Sequence, residues 1–234
     1  MEPGQGTLRE VLRAATAPLH RQTEAALDLT GPGLTRARYL AVLRRFHAVY
    51  TRLEPAIVAH PGWAALGFSM SDRRRLPLLE EDLASLEGSS GIARRAGMAA
   101  GEDIPDIAPV ADISHMAHIP HIAHNAERAP APQSGDIAAS DFPAVLGAAY
   151  VLEGSTLGGT FLHGHVARAL GLEGGAGTRF FHGAGRETMA RWKQFVAALE
   201  RAPLDAAGRQ RAVDGAAGTF ALLLGLPASP AAAY

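Results

Sequence analysis

An all-α fold is predicted by three properties of this chain. Apolar residues recur at spacings of three and four over long stretches, the period of a helix that buries one face. No long polar–apolar alternation of the kind a half-buried strand requires interrupts them. With 234 residues, 47% of them hydrophobic and 19% charged, the chain can fill one sizeable core, and residues 1–234 read as a single domain.

The elements follow in order. Leu8, Val11, Leu12, Ala15, Leu19, Ala26 and Leu27 make one apolar stripe over 7–29. Pro18 lies within it, where a kink or a missing backbone bond is expected. A second helix fits Arg36 to Ala59 and stops at Pro61-Gly62. A third fits Asp72 to Leu86, with Gly88 as its stop signal. A fourth begins at Asp141-Phe-Pro, where Asp141 is placed to cap it, and runs to about Leu170. A fifth covers Arg186 to Arg201 and a sixth Asp205 to Leu224.

Between the third and fourth helices, at about 101–135, the chain changes character. From Asp103 it parses into triplets: DIP, DIA, PVA, DIS, HMA, HIP, HIA, HNA. This is a low-complexity repeat of period three and reads as an insertion. It places His115, His118, His121 and His124 at strict spacings of three, in the triplet position that Asp103, Asp106 and Asp112 also hold. Pro105, Pro109, Pro120, Pro130 and Pro132 favour extended polyproline-II backbone over helix. In that form neighbouring histidines stand roughly 9 Å apart. A zinc ion needs its nitrogens at about 2 Å, so two adjacent members cannot share one ion unless the segment folds up.

The charge balance excludes some partners. A formal net charge of -1, from 22 basic and 23 acidic side chains, offers no basic excess for nucleic acid or an anionic membrane. There is no cysteine, so disulfides, thiolate catalysis and cysteine-ligated metal sites are excluded. MEPGQGTLRE lacks the apolar core of a signal peptide, and no apolar run is long enough to span a bilayer. The expectation is a cytoplasmic protein.

Two stretches carry candidate chemistry. In LREVLRAATAPLHRQTEAAL, His20 sits at the edge of the apolar stripe with Glu24 four residues on, so the two side chains are helical neighbours. A carboxylate beside an imidazole fixes its tautomer and raises its basicity toward a metal. The same spacing also makes an ordinary surface ion pair. In LGAAYVLEGSTLGGTFLHGHV, Gly147, Gly154 and Gly158 fall on one helical face with Gly159 beside them. Each helical glycine costs roughly 1 kcal/mol relative to alanine. Four of them serve either close helix–helix packing or the approach of backbone to a large planar ligand.

LRAATAPLHRQTE and GAAYVLEGSTLGG resemble the proximal and the glycine-rich distal helix of the heme oxygenase family, in particular its phytochrome-linked bacterial members. RFFHGAGRETMARWKQFVAAL and VDGAAGTFALL are similar to its later helices. The triplet repeat is not part of the family pattern. The resemblance implies a helical bundle with heme between the first helix and a kinked distal helix. It implies oxidation of heme to biliverdin with release of CO and iron, using O2 and an external electron donor such as a ferredoxin or reductase. Heme is then both substrate and cofactor, and a bacteriophytochrome is the implied biliverdin acceptor. Position by position, His20 is the proximal iron ligand and Glu24 its partner. Gly154, Ser155, Gly158 and Gly159 form the distal wall. Arg13 and Lys193 are the cations for the propionates, with Arg186 and Arg191 as runners-up, and Phe220 is a pocket aromatic. Ser155 stands where many eukaryotic members carry an aspartate, and it cannot act as an acid near neutral pH. Trp192, Phe180 and Phe181 read as core, His163 and His165 as surface, and His182 has no assignment. Two rival readings remain: a heme carrier or sensor that does not turn over, and a non-heme diiron enzyme, for which the distal helix offers only Glu153.

Overall fold

The computed structural model describes residues 6–95 and 141–225. The period-three repeat, with its four histidines, lies outside them. All regular structure among the described residues is helical.

Helix α1 spans Leu8–Leu27, opened by a reciprocal cap in which Thr7 Oγ1 accepts from the Glu10 amide and Glu10 accepts from the Thr7 amide. It passes through Pro18 as one helix and ends at Asp28, whose φ of 43° is left-handed. Helix α2, Arg36–Ala59, starts on a Thr35 cap. A short α3, Gly62–Ala65, inserts Trp63 into the core.

The expected third helix needs correcting at both ends. Ser71–Arg73 forms a 3-10 turn, and α4 runs Leu76–Arg95, straight through Gly88. Pro77 suits a first helical turn, which sets the later start. A Cβ at Gly88 would meet nothing within 4 Å, so this glycine sits on an open face and does not end the helix.

Helix α5, Phe142–Leu170, is one long element closed by Gly171 at a φ of 62°. Asp141 does not cap it through its side chain. Its carboxylate accepts instead from Arg211 at 3.2 Å, and Pro143 occupies the first turn, where a missing amide costs nothing. Three hydroxyls along α5, of Ser155, Thr156 and Thr160, each fold back onto the carbonyl three residues earlier. Such bonds compete with the helical ladder and favour bending. A short α6, Arg179–His182, precedes a 3-10 turn at Gly185–Glu187. Helices α7, Thr188–Glu200, and α8, Ala206–Leu224, follow, the last capped by Asp205 on the Gly208 amide.

Helix α8 is the centre of the bundle. α5 crosses it so closely that a Cβ at Gly147 would collide with the Ala212 carbonyl, and one at Gly215 with the Ala144 carbonyl. α1 lies along another side of α8 and also touches α7, but α1 and α5 share no packing seam of their own. The core between α2 and α6 is aromatic: Phe46 contacts Tyr50, Phe180 and Phe181, and Phe180 also contacts Tyr50 and Phe181.

Candidate active site

The sequence-predicted residues lie on α1, α5, α7 and α8, with α1 and α5 both packed on α8. His20 and Glu24 are neighbours on the exposed side of α1, with His20 Nδ1 3.4 Å from a Glu24 carboxylate oxygen. Both side chains are more than half exposed, at 60% and 69%, so this carboxylate orients the imidazole without burying it. The other side of the His20 ring meets the edge of Phe220 on α8, with centroids 6.0 Å apart. Phe220 itself is buried. Thr16 and Thr23, on the buried side of α1, return their hydroxyls to the carbonyls of Leu12 and Leu19. The hydroxyls of these two threonines are thus satisfied within α1.

The four glycines of α5 divide by what faces them. Gly147 is the crossing point with α8. Gly159 is buried against α6, where a Cβ would lie 2.8 Å from the Phe181 carbonyl oxygen. Their missing side chains serve packing. Gly154 has only the Trp192 ring near it, at 3.9 Å, an ordinary contact. Gly158 is exposed, and a Cβ there would meet nothing within 4 Å. Beyond the crossing with α8, then, α5 presents open backbone at Gly158, while Gly154 lies against the Trp192 ring of α7.

Arg13 is exposed on α1. Burial raises the Tyr150 hydroxyl on α5, and the positive charges of Arg9 and Arg13 oppose that rise, so this end of α1 faces α5. The Tyr150 ring contacts Trp192 at 5.7 Å. Lys193, next to Trp192, is exposed. Arg191 is engaged elsewhere, bonded to the Asp72 carbonyl at 3.0 Å and paired with Glu187 at 3.5 Å, while Arg186 is exposed.

Ser155 points away from the bare face, into the core. Its hydroxyl donates to the Leu152 carbonyl at 2.7 Å and meets the Tyr50 hydroxyl at 3.2 Å. Tyr50 was not among the residues the sequence singled out, because it lies 105 positions away on α2. Burial pushes its phenol up to about 12, against the opposing pull of Arg75 and the Ser155 bond. Behind Tyr50 a small cavity is lined by Glu54, Met70, Arg73, Arg75 and Glu153.

Glu153 is committed to a buried ion pair with Arg73 at 2.6 Å. Arg73 also donates to the Arg191 carbonyl and to Gln194, and its guanidinium stacks over Phe68. Among the described residues no three His, Asp or Glu side chains converge as a metal site. His163 and His182 meet with ring centroids 4.8 Å apart, a pairing across two elements that no local spacing signals.

A family model described as heme oxygenase matches residues 121–226, a span that takes in α5 to α8 and leaves α1 outside it. Among solved structures, that of a heme oxygenase from Leptospira interrogans is similar, with a TM-score of 0.65 and 19% identity over 94% of this chain and 98% of that one. At that identity the likeness speaks to the fold. No curated protein matches the sequence.

Proposed function

We propose that the chain is a heme oxygenase that opens heme oxidatively to biliverdin, releasing CO and iron, with O2 as oxidant and a ferredoxin or reductase as electron donor; the family model over residues 121–226 and the shared fold support this reading. The observation that carries this reading is the bare backbone at Gly158, on a helix that shares α8 with the helix bearing His20. A flat apolar ring needs a wall without side chains, and that is what this stretch of α5 offers.

The residues present fit heme. His20 is exposed enough to ligate, is oriented by Glu24, and is backed by the Phe220 edge. The His20 imidazole would hold the heme iron. Bound heme supplies the oxygen chemistry; the chain supplies position and protons. Arg13 and Lys193 would meet the anionic propionates at the rim, where a charge-assisted bond costs least desolvation. Gly158 lets the ring lie against backbone.

Ser155 cannot be the acid, but it is not isolated. With its own proton donated to the Leu152 carbonyl, Ser155 Oγ can accept from Tyr50 Oη, and Tyr50 abuts the polar cavity of Glu54 and Glu153. A phenol raised to about 12 stays protonated at neutral pH, so Tyr50 keeps its hydroxyl as a donor and holds Ser155 in place. Passage of the product to a bacteriophytochrome belongs to the same proposal. No helix among the described residues is long and apolar enough to cross a membrane.

The deciding experiment adds heme, a reductant and oxygen to the pure protein. Loss of the Soret band with growth of a biliverdin band is the expected result. A Soret band that persists through many reductive cycles indicates a carrier or sensor instead.

A further inference from the structure

We propose that Phe161 is a substrate-contacting residue, the apolar cover over the rim of the heme ring on the α5 side. This rests on the functional reading above and adds to it a residue that neither the family resemblance nor the helical spacing singled out.

Phe161 and Met189 are the large apolar side chains that stand exposed among the described residues, and Phe161 is the more exposed, at 73%. It lies on α5 seven residues after Gly154 and three after Gly158, spacings that return to the same face of a helix. Leu157, half-buried, completes the strip. The bare Gly158 is thus bracketed by a leucine and a phenylalanine, a smooth centre with an apolar margin.

Helical side chains lean toward the N-terminus of their helix, so a residue covers the turn before its own Cα. For Phe161 that turn holds Leu157 and Gly158. In this structure the ring stands beside the surface that Gly158 leaves bare and does not close over it, since a Cβ there would meet nothing within 4 Å; the edge of a planar ligand against α5 would lie within its reach. An edge-to-face contact of that kind is the arrangement aromatic rings prefer. Without a ligand the ring is in water; with one it is buried. The fold gains little from Phe161, whereas Phe180 and Phe181 are 1% and 3% exposed and fill the core.

The test compares wild type with F161A, F161L and H20A, reading apo-protein unfolding, heme titration at the Soret band, and the rate of heme loss to excess apomyoglobin. The apo stability of F161A should match wild type. Its heme Kd and heme-loss rate should both rise about tenfold, the size expected when most of a phenyl burial is lost, with the histidine-ligated spectrum kept. F161L should recover most of the affinity. An F161A that binds and releases heme as wild type does, while H20A abolishes the ligated spectrum, overturns the proposal and leaves the functional reading standing. A wild type whose heme spectrum is indifferent to H20A overturns both. Sedimentation of the apo protein adds a third outcome: self-association that F161A abolishes, with heme affinity unchanged, assigns this face to a second copy of the chain and overturns the proposal.

Discussion

The hydroxyl of Tyr50 lies 3.2 Å from that of Ser155, and both reach the carbonyl of Leu152, at 3.3 and 2.7 Å. One backbone oxygen of α5 therefore anchors a serine of its own helix and a tyrosine of α2. Replacing Tyr50 by Phe keeps the packing and removes the bond. A loss of about 1 kcal/mol in urea unfolding is expected. The pH dependence has a definite sign. Folding raises the Tyr50 phenol from 10.0 to about 12, so the folded state holds this proton more tightly than the unfolded one. The resulting stability is fully present below about pH 10 and is lost as pH climbs toward 12. Y50F should unfold less steeply with pH over that window; an identical alkaline slope in both proteins would show that Tyr50 titrates elsewhere.

His20→Ala tests the proximal assignment. The side chain is largely exposed, so apo stability should change by less than about 0.5 kcal/mol. The histidine-ligated heme spectrum and turnover should both disappear, and added imidazole should restore part of each. A spectrum unaltered by the substitution removes His20 from the iron.

The glycines give a paired experiment. Gly147→Ala places a methyl against the Ala212 backbone, which cannot yield as a flexible side chain would. Unfolding should come earlier by about 1–3 kcal/mol. Gly158→Leu meets open space, so the apo fold should be unaffected by circular dichroism while heme affinity falls. If both variants lose stability alike, the two glycines share one packing role.

Glu153→Gln leaves Arg73 as a buried cation without its carboxylate. Breaking one side of such a pair costs about 3–5 kcal/mol. Replacing both by apolar residues of similar size should cost less than the single change, and a double-mutant cycle in urea measures the difference.

Periodicity made the long helices legible because each buries one continuous stripe: α1, α2, α5, α7 and α8 all stand close to their expected limits. α4 starts four residues after the expected Asp72, because Ser71–Arg73 is held in a separate turn with Arg73 drawn to Glu153. Gly88 reads as a stop only if its backbone turns left-handed, and it does not. The glycine stripe was visible, but not its division. Spacing puts Gly147 and Gly158 on one face without saying that α8 covers the first and not the second. Tyr50, Arg73 and the His163–His182 contact depend on chain segments far apart in sequence, which no local pattern brings together.

The contact of α5 with α8 at Gly147 and Gly215 is backbone on backbone. Neither helix can slide along the other without one carbonyl climbing over the next, so the two move as a single lever. α1 is tethered differently, by side-chain packing and by the Glu200 carboxylate accepting its first two amides at 3.0 and 2.9 Å. Those bonds can lengthen and re-form. Any opening between α1 and α5 is therefore expected to come from α1, which carries His20, with α5 and its Gly158 staying fixed on α8. Amide hydrogens of α1 should exchange with solvent faster than those flanking Gly147 and Gly215, and a ligand held from both sides should slow the first set far more than the second.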